Sequence, residues 1–477
     1  MLLAGVVVFA AAIAGYVIYA VIHPENFTLD PVDLAVYRSG GMIVRHVAPL
    51  YNSHLKAPLY DWVGYGKLHL PFTYTPFAAL VFAIISFVPW WLTQQLSVAV
   101  NMIALLAALW LTLGGLGYRR GPVRLGATLL AASVALWSEP VLRTMYLGQV
   151  NLVLMALIIW DLCQPDTPKS RWWKGFGTGV AAGIKLVPLI FIPYLLVAGK
   201  FRQAVMTAAG FVVTVLLGFV ILPADSSKWW FGGLFAQGDR TGFVGWAGNQ
   251  SLDGLIIRLD GSINGAKPIW LVVAALVAIA GSVAAGLLDR KGYPVPALLT
   301  AALTGLLVSP VSWDHHWVWV APGVLVIGHY ALQAWRRSTG RKSGPGQKSS
   351  QNARRAAWGL GLSAAAIAVW FAAWPARLFT SVNNLGHDSL GLIWIPKNTE
   401  PYWYQWYGDR PWFPEYRWHG LQIIAGNAYI LAGLAVFGVL LAISVLLPGK
   451  PSGAKEIDDE PGRSQGSLRG RLRLPAA

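Results

Sequence analysis

Long apolar runs recur along the whole chain and are separated by polar segments. Most runs are close to the ~20 residues that a helix needs to cross a bilayer. We count about twelve of them: residues 2–22, 74–90, 95–116, 124–138, 147–163, 175–198, 203–222, 268–287, 294–308, 317–335, 356–376 and 421–447. The pattern predicts an all-α polytopic membrane protein with about 12 transmembrane helices.

The polar segments predict the orientation of these helices. The segment 336–355 and the tail 449–477 are basic and of low complexity, which favours the cytoplasm. An even number of helices puts both termini there and places the long loops on the outer face. These outer loops are residues 23–73, 223–267, 309–316 and 377–420. Residues 1–448 are therefore expected to form one membrane domain, followed by a disordered tail.

Two basic loops conflict with a plain twelve-helix count. Tyr118–Arg124 and Pro165–Lys174 would lie outside, against the positive-inside rule. A re-entrant hairpin around Lys185–Pro188 would return the second loop to the cytoplasm. The first loop needs another irregular crossing upstream.

Composition agrees with a membrane location. The chain is 55% hydrophobic and only 12% charged, about half the charged fraction of a soluble protein. Many basic residues behind the net charge of +16 fall in short loops and the tail, so they indicate topology and lipid headgroups rather than nucleic acid. Leu2–Ile22 has no basic leader and no cleavage site, which favours a retained first helix. The single cysteine, Cys163, excludes an internal disulfide.

The first outer loop contains a candidate catalytic carboxylate. Asp30 and Asp33 follow the first helix, and Arg38 comes about one turn after Asp33. A carboxylate held beside an arginine is suited to act as a general base. The same residues also fit a helix cap and an ordinary ion pair, which is the more frequent arrangement.

Lys185 is the most unusual polar residue within an apolar run. A cation at such depth costs roughly 2.5–3.5 kcal/mol on insertion scales, and Pro188 breaks the helix three residues later. A broken helix that presents a lysine to a cavity is suited to bind a phosphate, and a buried ion pair with a carboxylate is the alternative. Gln149 and Asn151 open the preceding run, where they either bind sugar hydroxyls or bridge helices.

The segment SPVSWDHHWVW places His315 and His316 at the outer end of a helix. Adjacent histidines do not share a helix face, so they are poorly arranged to chelate one metal ion. Contact with a phosphate or a sugar is a better explanation, and an interfacial Trp/His belt is the alternative. Farther along, the loop ending in EPYWYQWYGDRPWFPEYRWHG is rich in aromatic rings that could stack on sugars.

Five segments in order, DLAVYRSGG, LPFTYTPFAAL, GQVN, GIKLVPL and SWDHHWVW, resemble one known family. They are similar to the GT-C-type, polyprenol-phosphate-mannose-dependent α-(1,2)-mannosyltransferases of actinobacteria, which act on phosphatidylinositol mannosides. The resemblance implies transfer of mannose from polyprenyl-phosphate-mannose to a phosphatidylinositol mannoside at the periplasmic face of the plasma membrane. It further implies an inverting single displacement without a metal or other cofactor, in agreement with the absence of a DxD motif. We expect a monomer.

The resemblance assigns the general base to Asp33, with Asp30 as the alternative. The residues expected to contact the donor phosphate or sugar are Lys185, His315, His316, Arg38, Gln149 and Asn151. Those expected at the acceptor are Tyr37, Asn249, Gln250, Trp403, Trp406 and Trp412. Two other functions stay open: an arabinofuranosyltransferase that uses polyprenyl-phosphate-arabinose, and a flippase or transporter of lipid-linked sugars.

Overall fold

The computed structural model describes residues 1–22, 31–51, 71–242, 244–339, 347–373 and 420–449. Within these ranges the chain is helical, and its only β pairings are two isolated bridges. The α-helices are α1 (Leu2–Ile22), α2 (Val32–Arg45), α3 (Pro76–Ile85), α4 (Trp90–Gly115), α5 (Pro122–Leu136), α6 (Glu139–Leu147), α7 (Asn151–Leu162), α8 (Phe176–Ile184), α9 (Phe191–Val197), α10 (Phe201–Ile221), α11 (Pro223–Trp230), α12 (Leu252–Asp260), α13 (Ile263–Arg290), α14 (Pro294–Val308), α15 (Val320–Thr339), α16 (Gln347–Trp370), α17 (Leu421–Gly426) and α18 (Ala428–Leu446). Short 3-10 turns cover Val187–Ile190 and Asp314–Trp319, among others.

Several helices have the length and hydropathy of membrane spans. Among the described residues five helices pass on both counts, and a sixth if α6 and α7, bent by 116°, are counted as one broken span. Shorter apolar helices, α5 and α14 among them, stand beside these. The chain is therefore an all-α, multi-pass membrane protein, whereas the expected number of about twelve helices is not confirmed.

The short helix α3 explains why a plain helix count puts the basic loop Tyr118–Arg124 on the outer side. It lies within residues 74–90, the apolar run that was expected to cross the membrane. A helix of ten residues is ~15 Å long, about half the hydrocarbon thickness, so α3 cannot cross the bilayer alone. It packs along α2 instead, with Gly41 against the backbone of Phe82. Arg45 of α2 donates to the carbonyl of Ser86 at the end of α3.

The loop Tyr118–Arg124 lies at the same end of the bundle as Met1. The helices α1 and α5 run parallel, because Gly5 packs on Gly126 while Gly15, farther along, packs on Trp137. Both helices therefore begin at one end, which places the first basic loop beside the N-terminus. The missing crossing is the one that α3 does not make.

The chain folds back on itself as a helical hairpin around Lys185–Pro188, where the sequence predicted a re-entrant segment; whether it re-enters the membrane stays a prediction. Gly175, before α8, packs on the carbonyl of Gln203 at the start of α10, and Gly183 packs on Thr214 farther along α10. The chain then breaks at Lys185, whose backbone is extended, and α9 returns to the start of α10. Both ends of the hairpin therefore lie together, and Lys185 is at its tip.

These contacts define two ends of the bundle. The basic end collects the loops around Lys174, Lys200 and Lys291. There Lys174 pairs with Asp166 at 3.1 Å and Lys200 with Asp289 at 2.6 Å. We call the opposite end, which carries α2, the hairpin tip and the turn Asp314–Trp319, the site end.

Candidate active site

Helix α2 presents Asp33 and Tyr37 on one face at the site end. Asp33 lies in the first turn and is half-buried, and Tyr37 follows four residues later and is fully buried. The Tyr37 hydroxyl donates to Gln149 Oε1 and is 2.8 Å from the Tyr74 hydroxyl. Burial, followed by the neighbouring Tyr74 and Asp33, raises the pKa of Tyr37 well above its usual value. Tyr37 is therefore a neutral hydrogen-bonding phenol that fixes α2 beside Gln149.

Gly148 explains how α2 approaches this site so closely. It ends α6 in the left-handed conformation, with φ of 70°, which favours glycine. A Cβ atom at Gly148 would lie 2.6 Å from the Cβ of Leu34, next to Asp33. The glycine in GQVN therefore both turns the chain and admits α2.

Lys185, at the hairpin tip, meets two other elements. Its ammonium donates to Asn151 Oδ1 at 2.8 Å and lies 3.0 Å from His316 Nε2. It is also 5.9 Å from the centre of the Tyr74 ring, and the charge of Asp33 acts on it. The structure thus brings together Asp33, Asn151, Lys185 and His316, although the first and the last of them are 283 positions apart in the chain.

The turn Asp314–Trp319 holds the two histidines in different ways. Asp314 Oδ1 accepts from the His315 backbone N–H at 2.7 Å and lies 2.9 Å from His315 Nδ1. The carbonyl of His315 accepts from Thr144 at 3.0 Å and from Asn151 at 2.9 Å. His316 contacts Lys185 through its Nε2 atom.

Arg38 does not form the ion pair that its spacing from Asp33 suggests. Its guanidinium donates to the carbonyl of Val88 at 3.1 Å and to Met42 Sδ at 3.3 Å, and no ion pair with Asp33 is found among the described residues. In this structure Arg38 fastens α2 to the segment between α3 and α4. A role toward the donor stays a prediction.

Asn249 and Gln250 are fully buried and bond to backbone groups. The Asn249 amide donates to the carbonyls of Val244 and Pro310 and accepts from the Ser312 backbone N–H. Gln250 accepts from the backbone N–H groups of Tyr429 and Ile430. These contacts make both side chains internal braces in this structure, and acceptor binding by them stays a prediction. Asp30, Trp403, Trp406 and Trp412 lie outside the described residues.

A small cavity adjoins the cluster. Lys185, Asn151 and His316 line a space of about 50 Å³, which has room for a few water molecules at ~10–15 Å³ each. A sugar needs a larger opening. In the part of the chain that the structure describes, no three His, Cys, Asp or Glu residues are grouped closely enough to hold a metal ion.

Sequence reasoning missed Tyr74 and Glu139. Tyr74 connects Tyr37 to Gln149, and Glu139 lies fully buried beneath Asp314. Glu139 could have been noticed as an acidic residue between the apolar runs 124–138 and 147–163, because ionisable residues within a membrane domain are costly and usually functional.

The fold and site define a polytopic membrane protein that gathers a carboxylate, a lysine and a histidine at one end of its helices. Residues 72–310, half of the chain, match glycosyltransferase family 87. The chain belongs to this family of membrane glycosyltransferases.

Curated relatives agree with the family. A polyprenol-phosphate-mannose-dependent alpha-(1-2)-phosphatidylinositol mannoside mannosyltransferase of Mycobacterium tuberculosis H37Rv is 34% identical over 64% of this chain and 71% of the relative. Two phosphatidylinositol pentamannoside mannosyltransferases are similar over more of the chain. The one from Mycobacterium tuberculosis CDC 1551 is 31% identical over 86% of this chain and 81% of its own length. The one from Mycolicibacterium smegmatis is 30% identical over 88% and 86%. No solved structure matches the chain.

Proposed function

We propose that this glycosyltransferase moves mannose from polyprenyl-phosphate-mannose to a phosphatidylinositol mannoside and forms an α-1,2 linkage. The activities of the relatives support the donor and the acceptor class. The observation that carries the proposal for this chain is that Asp33 lies close enough to Lys185 for its charge to act on the ammonium. A carboxylate and an ammonium at one site match the two charge changes of the reaction.

The chemistry is a single displacement with inversion. Asp33 takes the proton of the acceptor hydroxyl, whose oxygen bonds to the anomeric carbon of mannose. The bond from that carbon to the phosphate oxygen breaks on the opposite face, and polyprenyl phosphate leaves with one additional negative charge. Lys185 faces this phosphate. Its positive charge stabilises the transition state more than the bound donor, because the negative charge on the phosphate grows as the bond breaks. No step requires a metal ion.

The Lys185 ammonium is prepared for this role. Lysine has three N–H donors, of which Asn151 and His316 engage two. The third is left for an anion at the half-buried hairpin tip. We further propose that the site end faces the periplasm and that the basic end faces the cytoplasm, in keeping with the positive-inside rule.

The decisive experiment is transfer from polyprenyl-phosphate-mannose to a mannosylated phosphatidylinositol by the purified protein in EDTA. Wild type is compared with Asp33→Asn, Asp30→Asn and the control Asp166→Asn, whose side chain is 59% exposed at the basic end. We expect Asp33→Asn to lose transfer by at least ~100-fold and the control to match wild type.

Each other outcome corrects a different part of the proposal. Loss in Asp30→Asn with activity in Asp33→Asn would move the base to Asp30. A wild type that is active without EDTA and inactive with EDTA would show that the reaction requires a metal ion. A wild type that uses the arabinose donor and not the mannose donor would reject the proposed sugar.

A further inference from the structure

A buried carboxyl pair lies behind the turn that holds the histidines. Glu139, at the start of α6, is fully buried, and Asp314 is 2% exposed. The two carboxyl groups are close enough for the charge of Asp314 to act strongly on Glu139, and the Tyr429 hydroxyl that donates to Glu139 is also within reach of the charge of Asp314. Glu139 Oε1 and Asp314 Oδ2 are also the oxygens left without a partner when both groups are counted as carboxylates.

The pair requires a proton. A carboxylate only accepts hydrogen bonds, so two carboxylates cannot form a hydrogen bond with each other. Two neighbouring negative charges that are both buried also repel strongly. One proton between the two groups gives both orphan oxygens a partner. Arg143, with Nε 3.7 Å from Asp314 Oδ2, then balances the one remaining negative charge.

The surroundings show which group carries the proton. Asp314 Oδ1 receives the backbone N–H and Nδ1 of His315, and Arg143 lies beside its other oxygen. These donors stabilise a carboxylate. Glu139 accepts one hydrogen bond from a side chain, that of the Tyr429 hydroxyl at 3.0 Å. The negative charge is therefore better stabilised on Asp314, and the proton belongs on Glu139.

We propose that Glu139 is a neutral carboxylic acid at working pH and that it donates to the Asp314 carboxylate, which positions the donor-binding lysine. Asp314 fixes the backbone and ring of His315. The His315 carbonyl in turn holds Asn151, and Asn151 together with His316 holds the Lys185 ammonium. Glu139 and Asp314 are positioning residues, and the functional part of the inference rests on the proposed function of Lys185.

The first test compares two isosteric amides in the transfer assay. Glu139→Gln keeps a neutral donor to Asp314 and an acceptor for Tyr429, so we expect kcat/KM within about threefold of wild type. Asp314→Asn removes the charge that fixes the turn, and a displaced lysine lowers kcat/KM on the order of 100-fold. Equal losses in both variants, or a fully active Asp314→Asn variant, would overturn the inference.

The second test identifies the path of the effect. If Asp314 acts through Lys185, adding Asp314→Asn to Lys185→Met costs little beyond Lys185→Met alone. Two independent losses that multiply would contradict this path, and a general structural defect would produce such multiplication.

The third test needs no substrate and does not depend on the proposed function. The infrared spectrum of the purified protein should show the carbonyl stretch of a protonated carboxylic acid at neutral pH. The difference spectrum of wild type minus Glu139→Gln should contain this band, whereas the difference spectrum of wild type minus Asp33→Asn should lack it. A wild type minus Glu139→Gln spectrum without the band would show that Glu139 is ionised and would reject the proposal even if the transferase assay failed or Asp314→Asn did not fold.

Discussion

A single lysine illustrates how residue chemistry and position combine in this protein. Lys185 has three N–H donors, and the structure gives it two neutral acceptors rather than a carboxylate ion pair within the described residues. An ammonium held this way keeps most of its charge for a ligand, since no carboxylate contacts it directly. Placing a cation in an apolar run is energetically costly. A bound anion would offset this cost, because no carboxylate of the protein does so by direct contact.

We predict that Lys185→Met lowers kcat/KM for the lipid-linked donor by about 100- to 1,000-fold, the usual effect of losing one charge-stabilising donor. Lys185→Arg should recover only part of this loss, because a planar guanidinium cannot reproduce the geometry of a compact ammonium. Steady-state transfer assays with varied donor would measure both. Lys228→Met, which changes an exposed lysine on α11, is the matched control and should behave as wild type.

At the scale of elements, the helical hairpin depends on a glycine face. Gly175, which directly precedes α8, and Gly179 and Gly183 within α8 all face α10, and Cβ atoms at these positions would overlap with α10. Close contact between small residues is the usual way in which membrane helices associate. The hairpin tip, and therefore Lys185, is held at its depth by this packing.

We predict that Gly179→Ala destabilises the protein by about 1–3 kcal/mol, because the new methyl group forces two packed helices apart. At this position a Cβ lies 2.1 Å from the carbonyl oxygen of Thr207 and 2.7 Å from the backbone nitrogen of Phe211. Thermal unfolding in detergent would show a lower midpoint. The control is Gly361→Ala on α16, where a Cβ meets nothing within 4 Å. A Gly179→Ala variant as stable as this control would contradict the packing argument.

The hairpin also shows how far the sequence could lead. Lys185, Pro188 and the conflict of basic loops predicted a re-entrant segment, because charge cost and proline sterics act locally. The sequence did not reveal that α3 lies along α2, since an apolar run reports burial and not direction. Nor did it separate braces such as Asn249 from ligand-binding amides, because the same side chain serves both purposes and only its partners differ.

The Glu139–Asp314 pair was hidden for a related reason. The two residues are distant in sequence, and neither has a motif that links it to the other. Their contact arises where α6 packs beneath the turn Asp314–Trp319, a tertiary relation that periodicity does not encode. By contrast, Asp33 and the two histidines could be proposed as site residues from the sequence, because carboxylate and imidazole groups beside apolar runs are conspicuous there.

At the scale of the whole molecule, charge is divided between the two ends of the bundle. The loops that contain Arg120, Lys174 and Lys291 lie at the basic end together with Met1 and with Arg336 in the last turn of α15, whereas Asp33 and the turn Asp314–Trp319 lie at the site end. Since basic loops are retained on the cytoplasmic side during insertion, this division supports the proposed orientation, in which the site end faces the periplasm. A lipid-linked donor would then be used from the outer leaflet.

We therefore predict opposite labelling of the two ends by a membrane-impermeant maleimide. On a Cys163→Ser background, Ser227→Cys places a thiol on α11 at the site end, and Arg120→Cys places one in the first basic loop; both positions are exposed. Right-side-out vesicles should label only the Ser227→Cys variant, and inverted vesicles only the Arg120→Cys variant. Permeabilised vesicles, in which both variants should react, control for thiol reactivity. Labelling of the Arg120→Cys variant in right-side-out vesicles would place the site end in the cytoplasm, where the enzyme would instead need a donor presented by the inner leaflet.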